Sequence, residues 1–507
     1  MYRTGRSIGI FSTGLLLQVT TLAIGLFTTP LLLHLLGDER YGVFRAASDW
    51  SGYVSLLQLG VSGSLIALFV KAIGQVDLKA VRLTLATGIR VYLQITGLTI
   101  LAGIGLGFAI THLVQVKGEL VGELQRGYWL GFLAILLLPL TPFRLLTDAS
   151  QRGYWTNFVS ILQSLLITSS TLLLAWLGWG IPGQYLATLL GTSFFCVTMA
   201  WDGFKRYSDV FPLVFNKSAQ AEIAQQLWQL NWPTLLLNLS TQIGLLTDNI
   251  VISYFLGPAM VVPFFVTQRL AVLAQAQLQG VGNASWAALA DLYAKGEYQL
   301  FNDRLVELTR LVSVMGLTSL VPVAVYSPRF IELWVGRGRF GGEAVVVLAV
   351  INGFLLGLFS LWGCCFGGTG KIAKIVPLSL IWMSVNLSVS LVSTHLFGLI
   401  GPLLGSFVAY VTVNLWWTPL LLRQVFGTNL RQLFWAVAKP LGVGIPYAGL
   451  IVWVGQTHQP WGWLGLAAEM ALSGLLYLTI AWFFVFNHSE RSLWHQRFKL
   501  LLQLRQR

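Results

Sequence analysis

Long apolar runs separated by short polar stretches dominate the chain, and most are long enough to cross about 30 Å of hydrocarbon as a helix. They predict two sets of six membrane spans followed by two more spans. The first set lies near 8–35, 45–70, 83–111, 127–147, 157–178 and 182–204. The second set lies near 228–256, 262–290, 306–326, 344–369, 373–397 and 401–422, with the last two spans near 437–456 and 462–487. The pattern therefore predicts an all-α membrane protein with fourteen transmembrane helices.

Polar segments divide this pattern into five predicted regions. These are an N-terminal six-helix lobe (1–204), a cytoplasmic linker (205–227), a C-terminal six-helix lobe (228–425), helices 13 and 14 (426–488), and a tail (489–507). In the tail, large apolar residues recur at helical spacing among basic residues, which predicts an amphipathic helix on the cytoplasmic membrane surface. These apolar residues are Trp494, Phe498, Leu501 and Leu502.

Composition and charge support a membrane class. The chain is 55% hydrophobic and only 10% charged, and its net charge of +13 is scattered over short loops, which argues against a nucleic-acid partner. With the N-terminus inside, most of the 32 Lys and Arg residues fall on the cytoplasmic side, as the positive-inside rule requires. The three cysteines lie in apolar runs without ligand-like histidines, so no disulfide framework, metal site or cofactor is predicted. The basic residues predicted outside are Arg40, Arg45, Lys117, Arg126, Arg329, Arg337 and Arg339.

The chain resembles itself at an offset of 220 residues. Leu36-Gly37 matches Leu256-Gly257, Gly60-Val61 matches Gly280-Val281, and Arg90 matches Arg310. An even number of spans in each repeat gives both halves the same orientation. The repeat therefore predicts two lobes related by a pseudo-two-fold axis along the membrane normal, with a central cavity between them.

Charged side chains inside spans are the first candidates for a functional site. Arg269 lies in the apolar stretch 261–292, and Asp49 is its counterpart in the repeat. Such charges usually face a bundle interior or a wet cavity, because lipid does not solvate them. Arg45 precedes Asp49 by one helical turn on the same face, and the aromatic residues Trp50 and Tyr53 follow.

Further polar residues recur along the seventh and eighth spans. Gln268, Gln275, Gln279 and Asn283 form a stripe at helical spacing in the eighth span. This stripe either lines a cavity or bonds between helices, since amides do both. Asp248, in the seventh span, either forms an ion pair with Arg269 or binds a coupling cation. Glu469, in the last span, either contacts the bundle or marks a lateral groove.

Several motifs resemble a known family. The segment Leu31–Ser55, followed by Leu59-Gly60-Val61, resembles the opening of the polysaccharide flippases of the multidrug/oligosaccharidyl-lipid/polysaccharide exporter superfamily. Segment 247–270 resembles the seventh and eighth spans of that family, and Leu333–Gly336 resembles the end of the ninth. Two features depart from the pattern. Pro263-Phe264-Phe265 replaces a usual tyrosine before Arg269, and the first span lacks the arginine of the related lipid II flippases, which argues against lipid II as substrate.

The resemblance implies a flippase that moves undecaprenyl-pyrophosphate-linked oligosaccharide across the bacterial inner membrane by alternating access, for cell-surface polysaccharide synthesis. Arg45 and Arg269 are then expected to bind the diphosphate, because guanidinium groups make bidentate contacts with phosphate. Asp49 and Asp248 would hold them in the empty cavity, while Gln, Asn and aromatic side chains line the sugar path. Membrane lipids, and polysaccharide polymerases or glycosyltransferases, are the implied partners.

Two other classes remain open. A cation-coupled small-molecule exporter of the same superfamily is one, although such exporters usually have twelve spans. A membrane polymerase, ligase or glycosyltransferase is the other, but no external loop is long enough to carry a catalytic site. No GxxxxGK[ST] motif is present, which argues against ATP hydrolysis by this chain. A non-enzymatic transporter is therefore the leading prediction.

Overall fold

The computed structural model describes residues 2–58, 60–207, 217–487 and 490–492, and these residues are overwhelmingly helical. The predicted surface helix with Trp494 lies outside them. In chain order the helices are α1 (Tyr2–Ser55), α2 (Val61–Gly74), α3 (Leu78–Leu113), α4 (Leu120–Phe132), α5 (Thr141–Ala149), α6 (Gly153–Trp176), α7 (Gly180–Arg206), α8 (Lys217–Leu256), α9 (Val261–Thr267), α10 (Arg269–Ala294), α11 (Tyr298–Val335), α12 (Glu343–Gly368), α13 (Val376–Phe397), α14 (Gly401–Ala409), α15 (Leu415–Phe426), α16 (Leu430–Thr457) and α17 (Gly462–Phe484).

The protein is a multi-pass membrane protein, and its all-α class is confirmed. Within the described ranges, ten helical segments are long and apolar enough to cross a membrane, or eleven if the bent pair α9 and α10 forms one span. The difference from fourteen arises partly because Ser12–Ser55 and Val376–Phe426 each run through parts of two predicted spans. The number fourteen itself stays a prediction.

The helical boundaries differ from those predicted at five places. The predicted loop between the first two spans is helical apart from Gly37, and the second span is interrupted between Ser55 and Val61. The fourth span continues from α4 through a 3-10 segment, Leu133–Leu140, because Pro139 cannot donate the regular helical hydrogen bond. The predicted linker 205–227 becomes helical at Lys217. The eighth span, predicted as continuous over 262–290, is bent by 54° between α9 and α10.

The chain divides into two compact units, Met1–Val262 and Pro263–Arg507. Helix α8 belongs to the first unit in this division, whereas the sequence pattern places it at the start of the second lobe. In the first unit α2, α3 and α5 share an apolar core that includes Phe69, Tyr92 and Phe143. The buried Tyr92 hydroxyl is hydrogen-bonded to Ser62 at 2.8 Å, which satisfies its polar end inside this core.

The second unit is built around α11, which packs on α10, α12, α16 and α17. Trp362 Nε1 on α12 donates to Thr309 Oγ1 on α11 at 3.0 Å. The last two long helices are joined by two tyrosines: Tyr447 donates to the Ser473 carbonyl at 2.9 Å, and Tyr477 donates to the Pro440 carbonyl at 2.8 Å. Each of these bonds gives a polar group a partner inside an apolar environment.

The repeat is visible in the backbone at its clearest glycine pair. Gly37 has φ 76° and ψ 167°, and Gly257 has φ 90° and ψ 156°. A positive φ is sterically accessible to glycine but strained for other residues. The two Leu-Gly pairs therefore mark the same glycine turn between the first two predicted spans of each repeat.

A close backbone approach in the first unit fixes where α1 meets the turn after α8. A Cβ atom on Gly42 would lie 2.0 Å from the carbonyl oxygen of Pro258. We expect Gly42→Ala to lower the free energy of unfolding by about 1–3 kcal/mol, because backbone atoms must move apart. Thermal unfolding in detergent measures this effect. Gly63→Ala is the matched control, since a Cβ there meets nothing within 4 Å, and an equal loss of stability in both variants would contradict the prediction.

Candidate functional site

In the first unit, a polar cluster joins the second half of α1 to α8. Asn249 Nδ2 donates to Asp49 Oδ2 at 2.7 Å, and the Tyr53 hydroxyl is hydrogen-bonded to Thr247 Oγ1 at 2.6 Å. Arg45 lies one turn before Asp49, close enough for Coulombic attraction to its carboxylate. The structure thus brings Arg45, Asp49 and Tyr53 together with a segment almost 200 residues away.

Small residues on one face of α1 allow this approach. Gly42, Ala46, Asp49 and Tyr53 follow each other at spacings of four, three and four, which places them on a common helical face. Ala46 is fully buried, and Gly42 touches the turn after α8. The polar side chains of this face consequently point at α8 and are held by it. Trp50 is half-buried and contacts the Tyr53 ring, with 5.7 Å between ring centroids.

Asp248 adds a second carboxylate to this cluster. Its Oδ1 atom is shielded from solvent and accepts no hydrogen bond from the described residues, and its charge is near enough to interact with that of Asp49. An unpartnered buried carboxylate oxygen is costly, so it marks a place where a cation or donor would be stabilised. The alternative ion pair of Asp248 with Arg269 stays a prediction.

In the second unit, Arg269 is the first residue of α10, directly after the bend that follows α9. Its guanidinium carbon lies 5.7 Å from the centroid of the Phe265 ring, a cation–π distance. Thr267 Oγ1 accepts a hydrogen bond of 2.7 Å from the Gly341 amide. A side chain at the end of α9 is therefore hydrogen-bonded to the loop before α12. Arg269 lies at an interruption between two helices rather than inside a continuous helix.

The predicted polar stripe follows Arg269 along α10. Gln268, Gln275 and Gln279 are half-buried, whereas Asn283 is exposed. The Cβ atom of Gln275 faces Gly353 on α12, so the stripe borders the contact between these two helices. Leu278, one position before Gln279, packs into the space left by Gly357 on α12. Part of the stripe thus borders a helix–helix contact within the second unit.

Glu469 contacts the loop that precedes its own helix. Its Oε1 atom lies 2.9 Å from His458 Nδ1. The sequence alone indicated no partner for His458, because the loop that brings the two residues together contains Pro460 and Gly462 and has no periodic pattern. The two interpretations of Glu469, a contact with the bundle or a lateral groove, both stay predictions.

A cavity in the first unit was not predicted from the sequence. It has a volume of about 380 Å³ and is lined by α1, α3, α4, the segment that follows α4, and α7. Ser48, Ser51 and Ser55 line it at spacings of three and four, a pattern that does predict one hydroxyl-bearing helical face. Its other hydroxyl residues come from distant helices and are Thr99, Tyr128, Tyr185, Thr188 and Thr192.

The Asp49–Asn249 contact can be tested by a double-mutant cycle. We expect Asn249→Ala to lower the free energy of unfolding by about 1–3 kcal/mol, because the half-buried carboxylate loses its donor. The loss should be smaller in an Asp49→Asn background, where no charge is stranded. Denaturant unfolding in mixed micelles measures both backgrounds. Asn238→Ala, on the same helix, serves as control, and an identical effect of Asn249→Ala in the two backgrounds would show that the side chains are not coupled.

Comparisons with known proteins give the fold. No family model matches the chain. One relative is an uncharacterised membrane protein, EpsK of Bacillus subtilis (strain 168), which is 23% identical over 512 residues covering 96% of this chain and 97% of its own. Among solved structures, the lipid II flippase MurJ in an inward closed conformation is 13% identical, with a TM-score of 0.71 over 93% of this chain and 98% of its own.

A second type of solved structure has the same architecture. An inward-facing multidrug resistance MATE family transporter of the MOP superfamily is 19% identical, with a TM-score of 0.63 over 80% of this chain and 96% of its own. The solved neighbours are flippases and transporters. The resemblance indicated by the Leu-Gly and Thr247–Leu270 motifs is thus confirmed at the level of the fold: the chain is folded like the transporters of the multidrug/oligosaccharidyl-lipid/polysaccharide exporter superfamily.

Proposed function

We propose that this protein flips undecaprenyl-pyrophosphate-linked oligosaccharide from the cytoplasmic to the outer leaflet of the bacterial inner membrane, with both termini in the cytoplasm. The observation that carries the proposal is the presence of permanently charged groups within apolar spans of a transporter fold, Arg45 in α1 and Arg269 at the start of α10. A diphosphate must lose much of its hydration to cross the bilayer. Guanidinium groups replace water with charge-assisted, bidentate hydrogen bonds.

The roles of the surrounding residues follow from this chemistry. Arg45 and Arg269 are the phosphate ligands in this proposal. Asp49 and Asp248 restrain the cations when substrate is absent. Gln268, Gln275, Gln279, Asn283, Trp50 and Tyr53 supply amide, hydroxyl and aromatic surfaces for sugars. No covalent step is required, and the transport cycle consists of alternating exposure of the bound headgroup to the two sides.

The length of the chain supports a lipid-linked substrate over a small soluble one. The lipid II flippase covers 93% of this chain, whereas the MATE transporter covers 80%. Helices α16 and α17 carry many exposed apolar residues, including Ile445, Leu464 and Phe484. We propose that these two helices shelter the polyprenyl tail, and that polymerases or glycosyltransferases of polysaccharide synthesis act on the delivered product.

Transport of a labelled lipid-linked oligosaccharide in proteoliposomes tests the function and the role of Arg269. We expect Arg269→Ala to lower the transport rate about tenfold or more, since a hydrogen bond to a charged group contributes about 1.5–3 kcal/mol. Arg269→Lys should retain part of the rate, because it keeps the charge but loses the bidentate contact. Access of an external probe to the glycan is the measurement.

The matched control is Arg126→Gln, which removes an exposed arginine whose Nε donates to the Gly122 carbonyl within its own helix. It should transport at the wild-type rate. An unchanged rate in Arg269→Ala would reject that residue as a phosphate ligand. A failure of the intact protein to move any diphosphate-linked glycan would reject the function itself.

A cation-coupled exporter is the second candidate, and Asp248 is the observation that favours it. The unpartnered Asp248 oxygen and the neighbouring Asp49 carboxylate offer oxygen ligands for a cation. If this candidate is correct, a Na⁺ or proton gradient should drive efflux of organic cations from proteoliposomes, and Asp248→Asn should abolish it. We expect instead that organic cations are not transported and that the glycolipid is.

A further inference from the structure

A groove in the second unit has a lining that neither transport candidate uses. It lies among the last turns of α11, the first turns of α12 and the last turns of α16, and its volume is about 680 Å³. That size is within the roughly 300–1,000 Å³ of typical ligand sites. The charge pattern of the sequence predicts that this end of the three helices faces the outside of the cell. Its lining includes Val325, Arg329, Glu332, Arg337, Val347 and Val452.

Two guanidinium groups are fixed side by side at the groove. Arg329 Nη1 lies 2.8 Å from Glu332 Oε2, and Arg337 Nε donates to the other oxygen of the same carboxylate. Arg329 Nε also donates to the Pro460 carbonyl at 3.2 Å, which ties α11 to the loop after α16. One carboxylate thus orients two cations and leaves this triad with a net charge of +1.

The neighbouring charges do not reverse this sign. Arg339 follows in the same short turn, and Glu343 stands exposed in the first turn of α12. One cation and one anion are thereby added, so the five groups of the turn still sum to a single positive charge. Glu469, which interacts with the lining residue Tyr326, has His458 Nδ1 as a partner at 2.9 Å. The N-terminal end of α12 itself carries partial positive charge, which weakens the influence of Glu343. Arg337 has 77% of its side chain exposed and is accessible to a ligand in the groove.

The wall of the groove is apolar and belongs to membrane-spanning helices. Val325, Val347 and Val452 line it, and Gly455 brings α16 so close to α11 that a Cβ there would lie 2.2 Å from Val325. Trp453, next to Val452, is 62% exposed on a helix that is long and apolar enough to cross a membrane. An apolar wall that ends at a pair of guanidinium groups matches a molecule with an acyl chain and a phosphate.

We propose that this groove binds an anionic phospholipid of the leaflet on that side, with its phosphate on the N–H groups of Arg329 and Arg337 that Glu332 does not engage, and one acyl chain along the three valines. Guanidinium pairs favour phosphate through charge-assisted hydrogen bonds. The amides of Gln456 and Gln459 line the same groove and suit the hydroxyl groups of a glycerol headgroup. A zwitterionic lipid is disfavoured, because its own ammonium or choline group would meet the positive charge of the turn.

Lipid binding to the full-length protein, measured by native mass spectrometry, tests this site. Phosphatidylglycerol and phosphatidylcholine with identical chains are titrated in turn. We expect phosphatidylglycerol to bind more tightly, and R329Q/R337Q to weaken it about tenfold, since at least one charge-assisted hydrogen bond is lost. Arg126→Gln removes one positive charge from the side that the sequence predicts to be external, and it should leave the affinity unchanged.

A steric variant tests the apolar wall without touching the charges. Val347→Trp should block the groove and lower phosphatidylglycerol affinity to that of phosphatidylcholine. Ile351→Trp, one turn further along α12 and similarly exposed, is the matched control and should bind normally. Because both positions are exposed, neither substitution disturbs the core.

Three results would overturn the proposal. Equal affinity for the two lipids would show that charge does not select the lipid. Wild-type affinity in R329Q/R337Q or in Val347→Trp would show that the lipid binds elsewhere. Displacement of the lipid by inorganic phosphate at equal concentration would identify an anion site without an acyl-chain contact. The lipid-binding measurements do not depend on glycolipid transport. A failure of transport would therefore contradict the proposed function without contradicting this inference.

Discussion

Hydrocarbon offers no hydrogen bonds, and this constraint determines most of what is observed in the protein. Backbone groups inside the bilayer are satisfied by helices, and each polar side chain in a span needs a partner from the protein itself. Asp49 has Asn249, Tyr53 has Thr247, and Tyr447 and Tyr477 have backbone carbonyls. At Asp248 the pairing is incomplete, because one carboxylate oxygen accepts no hydrogen bond from the described residues.

Much of the fold could be predicted from the sequence, because lipid imposes a simple rule on the length and composition of a span. The all-α class and the glycine turn at Gly37 and Gly257 followed from local patterns. The bend before Arg269 did not, because Thr267 meets the Gly341 amide, a group 74 positions away. The interruption after Ser55 was also missed, since the run 45–70 contains no proline that would mark it.

Part of the candidate site could likewise be predicted from the sequence, and part could not. The spacing of Arg45, Asp49 and Tyr53 predicts that they share a helical face. It does not predict that Asn249 donates to Asp49, because this pairing depends on the packing of α1 on α8. The hydroxyl-lined cavity needs residues from several helices, and only its three serines on α1 leave a periodic signal. Charges in spans are readily recognised in a sequence because they are rare. Their partners are ordinary polar residues and are much harder to identify.

The two repeats keep the same glycine turn but interrupt their second helix at different positions. In the first repeat the interruption follows Ser55, whereas in the second it lies at Thr267–Gln268, which corresponds to positions 47–48 of the first. Seven residues separate position 48 from Ser55, a distance of roughly 10 Å along the helix axis. The two halves therefore differ in where their second helix is interrupted. A proline placed at one interruption has a different effect from a proline at the matching position of the other half, because that position lies inside a regular helix.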